Sequence, residues 1–364
     1  MPDPQTTPLD ALHRELGARM VDFAGWSMPV QYPTGILKEH VWTRTRASLF
    51  DVSHMGQIRM PGADAAAAIE SLVPADIQAL KPGRARYTQF TTLDGGIIDD
   101  LIVTATDDGL YLVVNAGGRD TDLAHLREHL PGREIELLAD RALLALQGPA
   151  AVNVLARLAP EVAGLRFMSS IELEAAGLEL RISRLGYTGE DGFEVSVAAG
   201  HAVELARTLL AAEEVQPAGL GARDSLRLEA GLCLYGHDID RTTSPIEADL
   251  AWTVQKRRRA EGGFPGAERI LAELRDGPAR RLVGIRPEGR APAREGAAIL
   301  DGSGQAIGKV TSGGFGPTVD GPVAMGYVAG AAAEPGTPLQ LEVRGRKLPA
   351  RVEALPFVPH RYHR

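Results

Sequence analysis

The chain has 364 residues, enough for about two to three ordinary domains at roughly 100–200 residues each. Hydrophobic residues make up 44% and charged residues 24%, a balance that indicates a folded globular protein and excludes a disordered chain. The formal net charge of −8 excludes a basic field over the whole protein, so we expect no nucleic-acid partner.

The first half of the chain predicts an antiparallel meander between two helices. Helical patterns cover residues 65–72 and 121–130. Three strand patterns lie between them, over residues 86–91, 97–104 and 110–115. The strands are separated by Asp94-Gly95 and Asp108-Gly109 steps, which favour tight hairpin turns.

Residues 142–252 predict a second α/β stretch. From about residue 280 the sequence pattern changes to short β-rich runs. In the α/β stretch, helical patterns cover 150–158, 200–212 and 224–232, with a strand–turn–strand unit over 178–197. The later runs, divided by Gly and Pro, cover 282–285, 306–311, 325–328, 339–343 and 347–352. Short strands at this spacing predict a small sandwich or barrel.

Common cofactor and metal motifs are missing from the chain. It has no Gly-x-x-x-x-Gly-Lys-Ser/Thr loop and no strand pattern followed by Gly-x-Gly-x-x-Gly, so a Rossmann-type nicotinamide or flavin site is unsupported. His125 and His129 are one helical turn apart, and we expect two solvated residues rather than half of a metal site.

Cys233 is the only cysteine, which excludes an internal disulfide and favours a reducing compartment. It lies in an apolar segment, so we expect it to pack rather than to act as a nucleophile. The first residues lack the pattern of a secretory signal or an organellar presequence, and no run of about 18 apolar residues occurs. We therefore expect a cytoplasmic protein without a membrane span.

Two adjacent carboxylates, Asp99 and Asp100, form the first candidate cluster, within an apolar strand pattern. Burying a charge without a partner is costly. Because neighbours on a strand point to opposite faces, the two should not share one pocket unless a bulge intervenes. One is then structural and the other free for function; the alternative is that both cap the turn after Gly95-Gly96.

The second candidate cluster is the segment 186–195, where glycines at three points with acids between them predict a tight loop that enters a strand. Glu194 lies on that strand between Phe193 and Val195, so it faces away from both. From composition alone, a plain hairpin with an exposed Glu194 is the favoured interpretation.

The third candidate cluster is a helical pattern over 221–231 with Arg223 near its start and Arg227 one turn later. A surface ion pair between Asp224 and Arg227 is one interpretation. The other is an anion clamp, because two guanidinium groups on one face match a carboxylate or phosphate. Together the three clusters indicate a pocket with a functional carboxylate, a second acid and an arginine, without naming a substrate.

Eight motifs spread over nearly the whole chain occur at residues 21–32, 48–56, 95–100, 145–149, 186–192, 222–232, 307–313 and 324–328. In sequence and in order, they resemble the glycine cleavage system T proteins, a family of aminomethyltransferases. The run 313–318 departs from the Ser-Pro-containing run that is usual in this family.

The resemblance implies a three-domain, cloverleaf-like α+β fold around a central folate site, with a C-terminal β-barrel or jelly-roll-like domain. The first, folate-binding domain is then discontinuous and comprises residues 1–50 and 140–255. An α/β meander domain over 51–139 is inserted into it. A linker over 256–279 leads to the barrel domain over 280–364.

The resemblance also implies the reaction and its participants. Family members take the aminomethyl group from the lipoyl arm of H protein, release ammonia and form 5,10-methylenetetrahydrofolate. Tetrahydrofolate is thus the expected co-substrate, lipoylated H protein the expected partner, and no metal, nicotinamide or flavin is expected. The alternatives are another folate-dependent one-carbon transferase or demethylase, and a non-catalytic folate-binding iron–sulfur assembly protein. The last is disfavoured because Leu232, rather than Gly, precedes Cys233.

By resemblance, Asp100 matches the catalytic carboxylate near the folate N10, where it accepts or steers a proton, and Asp99 is then structural. Glu194 matches the acceptor of the pterin 2-amino group and ring N–H. The other expected folate-binding residues are Arg223, Tyr362, Met55, Tyr87, Asn115, Tyr187 and Tyr235. For Asn115, a role in a strand-end turn is an equal alternative.

A basic run, Lys256–Arg259, stands out in an acidic chain. We expect a solvated linker there. The alternative is that the run attracts an acidic partner or the polyglutamate carboxylates of folate.

Overall fold

The computed structural model describes residues 3–364. The first eight strands are β1 (Gln5–Thr6), β2 (Arg19–Phe23), β3 (Trp26–Gln31), β4 (Ala47–Asp51), β5 (Gly56–Pro61), β6 (Ala85–Thr91), β7 (Ile97–Ala105) and β8 (Gly109–Val114). The next six are β9 (Glu136–Leu137), β10 (Arg141–Gln147), β11 (Ser169–Ala175), β12 (Leu178–Arg184), β13 (Gly192–Ala198) and β14 (Val215–Pro217). The last six are β15 (Arg280–Pro287), β16 (Ala298–Leu300), β17 (Ala306–Gly316), β18 (Gly321–Ala329), β19 (Pro338–Val343) and β20 (Arg346–Glu353).

The helices alternate with these strands up to residue 276. They are α1 (Asp10–Glu15), α2 (Ile36–Thr45), α3 (Ala65–Ile69), α4 (Arg119–His129), α5 (Ala151–Leu155), α6 (Ala202–Leu210), α7 (Leu220–Glu229), α8 (Lys256–Glu261) and α9 (Ala267–Asp276). None of the helices in residues 3–364 combines the length and the apolar run that spanning a bilayer would need.

The predicted meander is confirmed as the first three strands of a five-stranded sheet with the order β6-β7-β8-β5-β9. Its turns form at the Asp-Gly steps, where Gly95 has a φ of 78°, a conformation that glycine adopts without strain. Helices α3 and α4 cover one face and enclose an apolar core that includes Ile58, Phe90, Val103 and Leu126. This packing holds the middle of β7 rigidly in the sheet.

A six-stranded sheet with the order β11-β12-β13-β10-β4-β14 carries the second predicted α/β stretch. Strand β4 pairs with β10 and β14, so residues 47–51 share a sheet with strands after residue 141. A third, smaller sheet has the order β1-β3-β2. The predicted helix over 224–232 begins earlier, at Leu220, and ends before Gly231, whose φ of 65° stops the helical path.

The C-terminal region forms a closed barrel in which β15, β18, β17, β16, β19 and β20 follow one another. Closure leaves no free sheet edge, which explains why many short strands form one compact unit. Together with the sheets and helices before it, this barrel confirms an α+β fold with a C-terminal barrel. The domain bounds stated above stay a prediction.

Two apolar clusters join these units and so determine where the site lies. One packs the β4–β10 region and helix α7 against β8, through Phe50, Val113, Leu143 and Leu226. The other packs Cys233 and Ile239 against barrel residues such as Met325. The meander sheet, helix α7 and the barrel therefore meet around one interior region.

The segment 256–279, for which a linker was predicted, is largely helical, because α8 and α9 occupy most of it. The expectation that its basic run is solvated holds for the exposed Lys256 and Arg259 but is wrong for Arg258 and, in part, for Arg257. The Arg258 side chain is buried and donates to the carbonyl oxygen of Glu70, while Arg257 pairs with Glu70 and Asp76. Arg259 donates to backbone carbonyls. The guanidinium groups of Arg257 and Arg258 fasten α8 to the meander unit, which removes the support for a free basic docking patch.

Candidate functional site

Asp100 lies on β7 with its carboxylate turned toward the interior region between the units. The hydroxyl of Tyr87, on the neighbouring strand β6, donates to Asp100 Oδ2 at 2.8 Å. Burial raises the pKa of Asp100 to about 7, and the charge of Asp99 adds to the rise. A carboxyl group that changes its charge near neutral pH is suited to moving a proton.

Asn115 joins the two adjacent carboxylates. Its Nδ2 donates to Asp99 Oδ1 at 2.7 Å and to Asp100 Oδ1 at 2.6 Å. Asp99 and Asp100 therefore share one hydrogen-bond donor, the case that was expected only where a bulge intervenes. Asn115 directly follows β8, where the ladder with β7 ends, so its amide reaches both carboxylates. The ladder between β6 and β7 also has a bulge just before Asp99.

Asp122, on α4, is a third carboxyl group in this cluster and was not expected from the sequence. It is fully buried and contacts Asp99, which is also fully buried. Burial raises the pKa of Asp122 to about 10, and the charge of Asp99 acts in the same direction. The spacing of Asp122 with Leu126 and Leu130 places it on the buried stripe of the helix, which is the signal that would have identified it.

Glu194 is buried, so the expectation of an exposed residue on a plain hairpin is wrong. It lies in the middle of β13, opposite Ala145 on β10 and Ser183 on β12. No side-chain hydrogen bond to Glu194 is formed within residues 3–364. Burial raises its pKa, and the charge of Arg223 opposes the rise. Its carboxylate is thus available to accept hydrogen bonds from a bound molecule.

Arg223, at the start of α7, is the cation that faces Glu194. Its guanidinium group lies 4.8 Å from the centroid of the Tyr187 ring, a cation–π arrangement. Its Nη1 is buried and finds no partner among the described residues. The hydroxyl of Tyr187 donates to the carbonyl oxygen of Cys233. Burial raises the pKa of Tyr187, and the charge of Asp100 adds to the rise. Tyr187 thus connects the Glu194 side of the region to the Asp100 side.

Arg227 does not take part in an anion clamp with Arg223. It is buried and donates to Asp224 at 2.8 Å, to Asp238 at 2.6 Å and to Ser312 of the barrel at 2.8 Å. The pairing with Asp224 confirms the alternative of an i to i+3 ion pair. Its guanidinium group is thus occupied by protein acceptors, and its bond to Ser312 fastens α7 to the barrel.

Three further residues expected at the site lie at its periphery. Tyr235 is half-buried, with its hydroxyl 3.5 Å from the carbonyl oxygen of Ile97 on β7. Met55 packs against the cluster around Phe50 and also lines a cleft of about 330 Å³. Tyr362 stacks on Phe167 with ring centroids 4.0 Å apart, on a tail that lies beside the Tyr187 loop.

Trp252 is an aromatic residue at the site that the sequence interpretation missed. Its ring stacks on Tyr87 with centroids 5.6 Å apart, and 60% of the residue remains exposed. An exposed indole next to the partner of Asp100 marks the solvent side of this region. The only signal in the sequence is an aromatic residue just before the basic run.

No group of three or more His, Cys, Asp or Glu side chains in residues 3–364 has an arrangement suited to a metal ion. His129 Nδ1 donates to the carbonyl oxygen of His125 within its own helix, at 2.9 Å. Cys233 is buried in the cluster around Ile239, which confirms the packing role expected for it.

Comparisons with known proteins match almost the whole chain. Residues 9–258 match the model of the GCVT N-terminal domain, and residues 280–359 match the glycine cleavage T-protein C-terminal barrel domain. A mitochondrial aminomethyltransferase of Gallus gallus is 50% identical, over 98% of this chain and 93% of that protein. A mitochondrial aminomethyltransferase of Dictyostelium discoideum is 47% identical, with the same coverage of both chains. The crystal structure of the glycine cleavage system aminomethyltransferase T from Bartonella henselae superimposes with a TM-score of 0.94, at 46% identity and over 99% of both chains.

Proposed function

The chain belongs to the glycine cleavage T-protein family, and from this premise we propose that it transfers a methylene group from the lipoyl arm of H protein to tetrahydrofolate. It is an aminomethyltransferase of the glycine cleavage system, and its activity depends on folate. A cytoplasmic location stays a prediction, since the named relatives are mitochondrial.

The observation that carries the proposal is the surroundings of Asp100, a buried carboxyl group held by Tyr87 and Asn115. Bound tetrahydrofolate supplies the nitrogen that takes up the methylene group as ammonia leaves. In this proposal Asp100 accepts or steers a proton at that nitrogen. A pKa near 7 lets its carboxyl group do so near neutral pH.

Glu194 is proposed to bind the pterin. A pterin presents its 2-amino group and a ring N–H side by side, and a carboxylate can accept from both. The support is that the Glu194 carboxylate is buried and receives no side-chain hydrogen bond within residues 3–364, so a ligand would satisfy it. Arg223, over the Tyr187 ring, is proposed to contact the folate with its unpartnered Nη1. Met55, Tyr235 and Tyr362 stay predicted lining residues.

The test is a measurement of ammonia release from aminomethylated H protein in the presence and absence of tetrahydrofolate. We expect folate-dependent release by the parent enzyme. Asp100→Asn keeps the shape of the side chain and should lower turnover about 10²–10⁴-fold, the usual contribution of a positioned acid–base group. Its folate affinity and melting temperature should change little. Transfer from a methylated sulfonium donor in place of H protein would contradict the proposed partner.

A further inference from the structure

Behind Asp100 lies a pair of buried carboxyl groups that the proposed reaction does not use directly. The side chains of Asp99 and Asp122 are both fully buried and contact each other. Neither oxygen of Asp122, nor Oδ2 of Asp99, has a hydrogen-bond donor among the described residues. Two carboxylates without a donor between them repel each other, so this contact requires one shared proton.

The hydrogen bonds around the pair determine which member keeps the proton. Asp99 Oδ1 accepts from Asn115 Nδ2 at 2.7 Å and from the backbone N–H of Asp100 at 2.9 Å. Burial raises the pKa of Asp99, and these two donors oppose the rise because they stabilise its ionised form. Since Asp122 accepts from no donor in the described part of the chain, its neutral form is the favoured one.

Room for this contact is made by Gly118, just before α4. A Cβ at this position would lie 2.0 Å from Asp99 Oδ2, a distance that no side chain tolerates. The backbone of the α4 N-terminus thus approaches the Asp99 carboxylate closely, and positive N–H dipoles at this end of the helix also favour a negative charge there.

We propose that Asp122 is a positioning residue for Asp100: it keeps a proton that it donates to Asp99, and the ionised Asp99 orients the Asn115 amide against Asp100. This inference rests on the proposed function, in which Asp100 handles the proton. Asn115 donates to both carboxylates with one Nδ2, so the ionised Asp99 determines which way the amide faces. The negative charge of Asp99 also adds to the rise in the pKa of Asp100.

Other charged or titratable groups face this cluster from the surrounding elements. They are Tyr87 of β6, Tyr187 of the loop before β13, and Cys233, Tyr235 and Arg241 between α7 and α8. Arg241 is exposed and forms no ion pair within 4.0 Å in residues 3–364. Its charge lowers the pKa of Asp122, but by less than burial and the neighbouring carboxylates raise it. Within this set, the proton on Asp122 is what lets Asp99 remain charged.

The first test does not depend on activity. Infrared spectra of the full-length protein in D2O at a pH near 9 report protonated carboxyl groups through their C=O stretch. We expect the difference spectrum of the parent minus Asp122→Asn to contain such a band, and that of the parent minus the control Asp120→Asn to lack it. Asp120 is a suitable control because it occupies the same helix turn with a side chain that is 97% exposed. A difference spectrum of the parent minus Asp122→Asn that lacks the band would overturn the proposal.

The second test is the pH dependence of kcat. Asp122→Ala removes the donor to Asp99, and we expect kcat to fall about ten- to a hundredfold with the KM for tetrahydrofolate retained. Asp122→Asn restores a donor and should recover most of that loss, with the acid limb of the profile in its parental position. The double variant Asp99→Asn/Asp122→Asn keeps the hydrogen bond but removes the charge, so its acid limb should move about one pH unit lower.

The outcomes separate this inference from the proposed function. If Asp122→Asn moves the acid limb as far down as the double variant does, Asp122 is ionised in the parent and the proposal is wrong. If Asp122→Ala keeps the kcat of the parent, Asp122 does not position Asp100 and the proposal is wrong. If the parent itself shows no folate-dependent ammonia release, the proposed function fails, while the infrared band still decides the state of the pair.

Discussion

Replacement of Glu194 by Gln tests the proposed pterin site, because it removes a charge while keeping the size and shape of the side chain. Glu194 as a residue is 6% exposed, and its carboxylate is proposed to accept two hydrogen bonds from the pterin. A hydrogen bond to a charged group contributes about 1.5–3 kcal/mol. At about 1.4 kcal/mol per tenfold change, the Kd for tetrahydrofolate should rise roughly ten- to 150-fold.

Stability should respond much less than affinity in this variant. Burial raises the pKa of Glu194, so its ionised form lowers the stability of the folded protein above that pKa, and the amide removes this penalty. In the opposite direction, Arg223 loses the carboxylate that faces it. The two effects oppose each other, and we expect the melting temperature at pH 8 to stay close to that of the parent.

The assay is anaerobic titration calorimetry with tetrahydrofolate, next to thermal unfolding of the same samples. Glu179→Gln is a matched control, since Glu179 lies on the adjacent strand β12 but its side chain is exposed. It should bind folate with parental affinity. If Glu194→Gln also binds within twofold of the parent, the carboxylate does not hold the pterin and the reasoning is refuted.

Two further predictions concern the pH profile and the stability of the fold. Tyr87→Phe removes the hydrogen bond that stabilises the ionised Asp100, so the pKa of Asp100 should rise and the acid limb of kcat should move to higher pH; an unchanged or lower limb would contradict this role. Glu229 is fully buried and accepts hydrogen bonds from Arg44, His40 and the backbone N–H of Thr318. Glu229→Gln should therefore lower the free energy of unfolding by about 3–5 kcal/mol in urea titrations. Glu15→Gln is the control and should change this free energy little, because Glu15 is exposed. Burial alone would raise the pKa of Glu229, but the hydrogen bond and charge of His40 hold it at about 2, so its contribution is present above the ordinary value of 4.5 and is lost as the pH falls toward 2. The deficit of Glu229→Gln should therefore narrow over that range, and a constant deficit would show that the charge is not what matters.

Local patterns were sufficient for the strands of the meander and for five of the six strands of the barrel, while the three-residue strand β16 was not predicted. The turns at Gly95 and Gly109 can be predicted because Asp-Gly steps favour the backbone conformation that a hairpin needs, whatever surrounds them. The same holds for Cys233, whose apolar neighbours in the sequence indicated burial. The resemblance of eight ordered motifs likewise pointed to the family before any contact was known.

Contacts between distant elements were outside the reach of such patterns. Burial of Glu194 depends on the strands on both sides of β13, and a period-2 pattern does not reveal whether the second face of a sheet is also covered. Likewise, the Lys256–Arg259 run has the composition of a solvated linker. It is fastened because Glu70 and Asp76, about 180 residues earlier, supply the acceptors.

The carboxyl cluster shows most clearly what the sequence determined and what the tertiary structure decided. Alternation along a strand correctly makes Asp99 and Asp100 neighbours with different directions, and the sequence shows no more than that. The structure adds Asn115 from the end of β8 and Asp122 from α4, which join the two carboxylates into one network. Protonation depends on the surrounding dielectric and on charges within a few ångströms, and those are properties of the folded chain.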